Sequence, residues 1–288
     1  DHEPNFLFRN DGKRFAEVGV PAGIATSPDG APEAGMGTDW ADYDRDGRLD
    51  LAVCNFQWES CRLLRNTGDG RFEDRTAPSG LGGPTYQTLT FGTDFVDTDN
   101  DGYPDLFLAN GHVEPNIEIL DSAGPLYAQH DQLFLNNRDG TYTDVTVASG
   151  LTAFPAAVGR GSAAADYDND GDVDFFVSNN NQRPHLLRND GGNQGNWISV
   201  EVEGTRSNRS GIGTRVTVFT EDLRQTAEVR GSSSYLSHND LRLHFGLGRQ
   251  AVVDSIHIRW PAGGSQTVVA VPAGQFLRIV EGEPWVGQ

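Results

Sequence analysis

The chain has 288 residues, 36% hydrophobic and 22% charged, with a formal net charge of -19. That length holds one large or two ordinary domains. The acid excess makes nucleic acid and anionic membrane poor partners, because both are held through Lys and Arg, and no apolar run reaches the roughly 18 residues of a membrane-spanning helix. The charge is uneven: 32 of the 41 acidic and 13 of the 22 basic residues lie in 1–192, leaving 9 of each in 193–288. The shift marks a domain boundary near 192, and metal cations are the natural partners of the acidic part. The chain opens at Asp1 in polar sequence, as a processed mature protein or a fragment would.

In chain order, NFLFRNDGKRFAEVGVPAGI (5–24) reads as a hairpin: an apolar strand, an Asn/Asp/Gly turn and an aromatic-led strand. It recurs as CRLLRNTGDGRFEDRTAPSGL (61–81), DQLFLNNRDGTYTDVTVASGL (131–151) and, truncated, PHLLRNDGG (184–192). Interleaved with it is an acidic loop, DYDRDGRLDL (42–51), DTDNDGYPDL (97–106) and DYDNDGDVDF (166–175). Each loop follows a small-residue lead (GMGTDWA, TFGTDFV, GRGSAAA) and runs into an apolar strand. Loop spacings are 55 and 69 residues, the longer one carrying the insertion GHVEPNIEILDSAGPLYAQH (111–130). Repeated short antiparallel sheets of this size suit propeller blades. The first hairpin has no loop before it, so the chain begins in mid-repeat with three to four blades. Upstream blades then lie outside this chain, or a partner completes the ring.

Cys54 and Cys61 flank a short link between two strand-like runs, LDLAVC and CRLL. Neighbouring strands supply the Cα spacing of about 5.5 Å that a disulfide needs, and such a bond implies an oxidising compartment. Beyond 192 the style changes. NWISVEVEG, TRVTVFTED, RQTAEVRG, LRLHFGLG, VDSIHIRW and QFLRIVEG alternate apolar and polar residues between turns, as strands of an antiparallel sandwich do.

The loop pattern D-x-D-x-D-G-x-x-D is close to the start of an EF-hand loop, with carboxylates at 1, 3 and 5, a turn glycine at 6 and a backbone carbonyl at 7. Here the closing acid stands at position 9 rather than 12, so the loop is tighter and leads into a strand. The ligand sets are Asp42, Asp44, Asp46 and Asp50; Asp97, Asp99, Asp101 and Asp105; and Asp166, Asp168, Asp170 and Asp174, completed by the carbonyls of Arg48, Tyr103 and Asp172. Hard oxygen donors in that number favour Ca2+, about three ions in all. Asp39 and Asp94 stand three residues before the first two loops, as outer acceptors or exposed groups; the third copy has Ala163.

These loops and leads resemble FG-GAP/VCBS repeats, the calcium-loop blades also found in integrin α-subunit propellers. GTRSNRSGIGTRVTVF, GSSSYLSHNDLRLHFGLG and VDSIHIRWPAG resemble the ASPIC/UnbV domain. Together they are similar to the C-terminal half of the cartilage acidic protein 1 family. The resemblance implies an all-β chain: FG-GAP-type β-propeller blades over 1–192, as a partial or partner-completed ring, then a small ASPIC/UnbV-like antiparallel β-sandwich over 193–288. It also implies a secreted or cell-surface location, periplasmic in a bacterium. Partners would be other proteins, extracellular matrix or polysaccharide.

The expected role is a calcium-stapled interaction or adhesion module. One alternative is a structural subunit of an extracellular assembly, because an incomplete ring has exposed blade edges. Another is an enzyme on the same scaffold, for which the histidine-bearing candidates are His112, Glu114 and His130, or His238, Asp240 and His244. No nucleophile elbow, zinc-protease helix or phosphate-cradling loop is present, so the residues favour binding over catalysis.

Overall fold

The computed structural model describes residues 3–285. With 39% strand against 7% helix, the chain is all-β. The first hairpin pairs β1 (Phe8–Asn10) with β2 (Phe15–Glu17). Two four-stranded antiparallel meanders follow. One holds β3 (Gly37–Ala41), β4 (Asp50–Cys54), β5 (Arg62–Asn66) and β6 (Phe72–Asp74); the other holds β7 (Thr90–Val96), β8 (Asp105–Asn110), β9 (Gln132–Asn136) and β10 (Tyr142–Asp144). A third meander has three strands, β11 (Gly159–Ala165), β12 (Asp174–Asn179) and β13 (His185–Leu187). The insertion adds only a short helix, Ile117–Leu120.

The meanders stack face to face because alternate residues of each second strand point to opposite neighbours. Leu51 and Val53 of β4 pack with Leu7 and Ile24 beside the first hairpin, whereas Ala52 and Cys54 pack with Phe95, Leu106, Leu108 and Phe134 of the next sheet. On β8, Phe107 and Ala109 turn the other way, onto Phe175 and Val177. The first strands of the sheets run side by side, and their glycines permit it. A methyl on Gly37 would sit 2.0 Å from the Phe91 carbonyl oxygen of β7, and one on Gly92 would sit 2.4 Å from Ser162 Oγ of β11. At the two ends of the stack the same positions are open. Phe8 is 59% and Phe15 69% exposed on one side, Phe176 46% and Leu186 51% on the other.

The disulfide Cys54–Cys61 is formed. It continues the β4–β5 register one step beyond Val53↔Arg62, and both sulfurs lie in the core between the first two meanders.

The remaining strands form two sheets. One has the order β17 (Leu243–Gly248), β14 (Asn196–Glu203), β20 (Gln275–Val280). The other has the order β16 (Arg224–Glu228), β15 (Arg215–Phe219), β18 (Val252–Arg259), β19 (Ser265–Pro272). Ile198, Val200, Val216, Ile256, Ile258 and Leu277 fill the space between them. The expectation of a wholly antiparallel sandwich is corrected here: β14 and β20 are parallel. A parallel pair needs a long crossover, and the excursion through the opposite sheet supplies it. The alternation over SQTVVAVP, not read as a strand from sequence, forms β19.

Candidate metal centres

Each acidic loop is the connection of a hairpin, β3–β4, β7–β8 or β11–β12. In register, Ala41 pairs with Asp50, Val96 with Asp105 and Ala165 with Asp174. The ninth residue therefore starts a strand directly opposite the residue preceding the first ligand, which brings positions 1 and 9 together. The turn is held by its own aspartates. The glycine N–H at position 6 donates to the first carboxylate, Gly47 to Asp42 at 2.9 Å, Gly102 to Asp97 at 2.8 Å and Gly171 to Asp166 at 3.0 Å. These glycines have φ of 88°, 88° and 97°, the left-handed region that costs a side-chain-bearing residue most. The fifth carboxylate accepts the N–H of position 7: Arg48 to Asp46 at 2.9 Å, Tyr103 to Asp101 at 2.8 Å and Asp172 to Asp170 at 3.0 Å.

The ninth aspartate ties the loop to the rest of its sheet. Its two oxygens accept the N–H of position 2 and of an asparagine at the end of the third strand. The latter bonds are Asn66 to Asp50 at 2.7 Å, Asn136 to Asp105 at 2.8 Å and Asn189 to Asp174 at 2.8 Å. The asparagine side chains then reach further. Asn136 Nδ2 donates to the Pro104 carbonyl at 3.1 Å and to Tyr43 of the preceding loop at 3.0 Å, and Asn189 Nδ2 donates to Thr98 of loop two at 2.8 Å. Sequence reasoning missed these three asparagines as parts of the site. Their signal was the Asn that recurs in every hairpin copy, RN, RN, LN and RN.

Carboxylate oxygens converge within 4.8 Å of one another in Asp42, Asp44 and Asp50; in Asp97, Asp99 and Asp101; and in Asp166, Asp168 and Asp174. Three of the four expected carboxylates thus meet in every loop. Asp46 is drawn aside by ion pairs with Arg48 and Arg65. Asp105 is taken up by the Thr98 N–H at 2.9 Å and hydroxyl at 2.5 Å. In loop three Asp170 is the carboxylate left out. Asp39 and Asp94 are not exposed: both are fully buried. Asp39 accepts the Phe95 N–H at 2.8 Å and pairs with Arg230, and Asp94 pairs with Ser162 and Asn239.

Burial, reinforced by like charges, pushes these acids upward: Asp42 to about 7, Asp50 to about 8, Asp105 to about 7 and Asp174 to about 6. Asp97 is raised well above the ordinary carboxylate range by burial and then by Asp105, Asp101 and Asp99. Buried carboxylates crowded in this way favour protonation unless a cation compensates them, and a divalent ion inverts that balance. The donor set is all oxygen, so it fits a hard divalent cation. The histidine candidates behave otherwise. His112 is buried, its Nδ1 accepting the Glu114 N–H at 3.0 Å; His130 and His238 are exposed; and His244 bonds Asn100 of loop two. Among the described residues, none of them joins a metal-ligating group of three.

Three hairpin loops of one design, each gathering three carboxylates that range from buried to exposed, define a repeat protein with acidic turns. Residues 42–108 and 118–177 match the FG-GAP-like repeat family and residues 204–284 the ASPIC and UnbV family, so the chain joins segments similar to these two modules. It is similar to cartilage acidic protein 1 of Mus musculus, 29% identical over 97% of this chain and 42% of that protein. The Homo sapiens protein of the same name is 28% identical over 98% of this chain and 40% of its own length. The chain therefore spans about two-fifths of these relatives. Among solved structures, an Agrocybe aegerita lectin described as recognising non-reducing terminal N-acetylglucosamine matches with a TM-score of 0.31 at 21% identity, covering 67% of this chain and 49% of that one. A likeness that low carries no argument.

Proposed function

We propose that this chain is part of a secreted, calcium-stapled interaction protein. The meanders over 1–192 are propeller blades, and 193–288 is a separate ASPIC/UnbV unit. Three Ca2+ ions bind through Asp42, Asp44, Asp46 and Asp50; Asp97, Asp99, Asp101 and Asp105; and Asp166, Asp168, Asp170 and Asp174, with the carbonyls of Arg48, Tyr103 and Asp172. The observation that carries this reading is the threefold convergence of carboxylate oxygens, within 4.8 Å of one another in every loop. The disulfide and the names of the relatives support an extracellular setting, where proteins or matrix are the partners. A ligand that binds only the folded loops stabilises them by mass action, about 4 kcal/mol at a thousandfold excess over Kd. Calorimetry is expected to count three ions per chain, and EDTA to lower the melting temperature. An unchanged melting temperature with EDTA refutes the reading.

A second reading has its own support. The open apolar faces at the ends of the stack, Phe8 and Phe15 on one side and Phe176 and Leu186 on the other, suit further blades or a neighbouring chain. Native mass tests it: a monodisperse monomer of this chain with a closed ring refutes completion by a neighbour.

A further inference from the structure

The acidic loops are covered by the two sheets of residues 196–280. Their fourth residues, Arg45, Asn100 and Asn169, are all left-handed, with φ of 59°, 57° and 58°, and each meets that cover. Arg45 donates to the Asp222 carbonyl at 3.4 Å. Asn100 is engaged twice, through its carbonyl with the Gly248 N–H at 2.8 Å and through Oδ1 with His244 Nε2 at 2.6 Å. The Asn100 amide nitrogen donates to the Gly171 and Gly192 carbonyls, so Oδ1 accepts and His244 donates from Nε2. Asn169 Oδ1 accepts from Arg242 at 2.7 Å, and the same guanidinium donates to the Asp166 carbonyl at 2.9 Å. The sixth-position glycines allow the close approach: a methyl on Gly171 would sit 2.0 Å from the Trp197 indole nitrogen, and one on Gly47 would sit 2.6 Å from Arg224.

The segment between β16 and β17 adds a strap across the first strands of all three meanders. Arg230 pairs with Asp39. The Ser234 N–H donates to the Thr38 carbonyl at 3.1 Å, and the Thr93 N–H donates to Ser234 Oγ at 2.8 Å. The Asp240 N–H donates to the Ala164 carbonyl at 3.0 Å. Tyr235 packs edge-on against Phe91, ring centroids 4.7 Å apart. Between strap, loops and cover lies a partly open cavity of about 170 Å³ whose lining includes the first aspartate of every loop, Asp42, Asp97 and Asp166.

We propose that the sheets of residues 196–280 are a cap seated on the three loops through their fourth residues, so that metal occupancy of the loops and seating of the cap are coupled. The inference rests on the calcium reading above. The fourth residue stands between ligands three and five, so its left-handed turn is set by the convergence of the flanking carboxylates. Without a cation the acids that stay charged repel one another and the turn loosens. One effect opposes this: Arg224, Arg230 and Arg242 are attracted more strongly to uncompensated acids. Arg230 and Arg242 are only 29% and 25% exposed, so salt screens that attraction only in part and it limits the size of the coupling. The hydrogen bonds to loop carbonyls, in contrast, fail once the geometry drifts.

Hydrogen exchange of the whole chain, with and without EDTA, tests the coupling, with bound calcium counted in parallel by native mass spectrometry. Removal of calcium is expected to raise exchange over 230–248 by at least about tenfold while β18 and β19 keep their protection. Loss of calcium with unchanged exchange there, or with an equal rise in β18 and β19, overturns the coupling. If no calcium binds, the calcium reading fails, and the coupling falls with it. Linkage is reciprocal, so His244→Ala, which touches no carboxylate ligand, is expected to weaken calcium affinity about fivefold or more. His244→Phe keeps an aromatic ring without the Nε2 donor and serves if the alanine variant does not fold. Unchanged calcium affinity in a folded variant whose cap exchanges freely overturns the inference.

Discussion

Asn136→Ala removes a side chain that holds two loops at once. Asn136 is 6% exposed, and its amide nitrogen donates to the Tyr43 carbonyl in loop one at 3.0 Å and to the Pro104 carbonyl in loop two at 3.1 Å. Tyr142 also donates to Pro104, at 3.1 Å, so that carbonyl keeps a partner; the carbonyl of the buried Tyr43 loses one. The bond from the Arg138 N–H to Asn136 Oδ1 is matched in Asn66 by the Gly68 N–H; beyond it, two hydrogen bonds at about 1 kcal/mol each, plus part of the roughly 1–3 kcal/mol for an orphaned buried acceptor, give an expected further loss of about 2–4 kcal/mol. Asn66→Ala is the internal control. Its amide nitrogen makes one bond within its own sheet, to Leu49 at 3.0 Å, for about 1 kcal/mol. Denaturant unfolding at saturating calcium and fixed salt measures both. The reasoning is refuted if Asn136→Ala costs no more than Asn66→Ala.

The pH dependence of the metal-free protein has a definite sign. Asp42, Asp50 and Asp105 are raised to about 7, about 8 and about 7, so between about pH 4 and 8 the folded chain holds protons that the unfolded chain has released, and stability falls as pH rises. Melting curves in EDTA should decline across that range and flatten when calcium is added; a flat EDTA profile contradicts the burial argument. Replacing Cys54 and Cys61 together by Ser should cost about 2–3 kcal/mol in denaturant unfolding, because the bond closes a short loop; a smaller loss than about 0.5 kcal/mol counts against it. Gly92→Ala should cost at least about 2 kcal/mol through overpacking, since its methyl would meet Ser162 Oγ at 2.4 Å. Gly83→Ala, with nothing within 4 Å, should stay within about 0.5 kcal/mol in the same assay.

Local chemistry was legible in the sequence and long-range pairing was not. The three loops, the hairpins and the disulfide could be read because each depends on residues close in the chain: DxDxDG sets a turn, RN-TGDG-R sets a hairpin, and seven residues separate Cys54 from Cys61. The parallel pairing of β14 with β20 could not be read, since alternation specifies which face is buried but not which neighbour lies alongside. For the same reason Asp39 and Asp94 looked peripheral. Their acceptor roles depend on Arg230 and Asn239, which the cover brings from 191 and 145 residues away. The asparagines at 66, 136 and 189 fell between these cases, visible as a repeat but unreadable as loop partners until the third strand was placed.

The loops share one plan but are not equivalent, and the difference lies in the second residue. In loops one and three that residue is Tyr43 or Tyr167, which offers the ninth aspartate only a backbone N–H, at 3.3 and 3.2 Å. The ninth aspartate then joins the convergent group. In loop two it is Thr98, whose hydroxyl and N–H both bind Asp105 Oδ2, and the convergent oxygens come from Asp97, Asp99 and Asp101 instead. A carboxylate has about four lone-pair directions to distribute. Asp105 gives three to Thr98 and Asn136, which leaves less for an ion. Loop two also makes the most contacts with its surroundings: Asn100 meets His244 and Gly248 on the cover and Gly171 on loop three. The central loop is thus held more by protein than the outer two. On the calcium reading proposed above, removal of the ion is therefore expected to act chiefly at the two outer loops, on either side of the loop that the protein itself already holds.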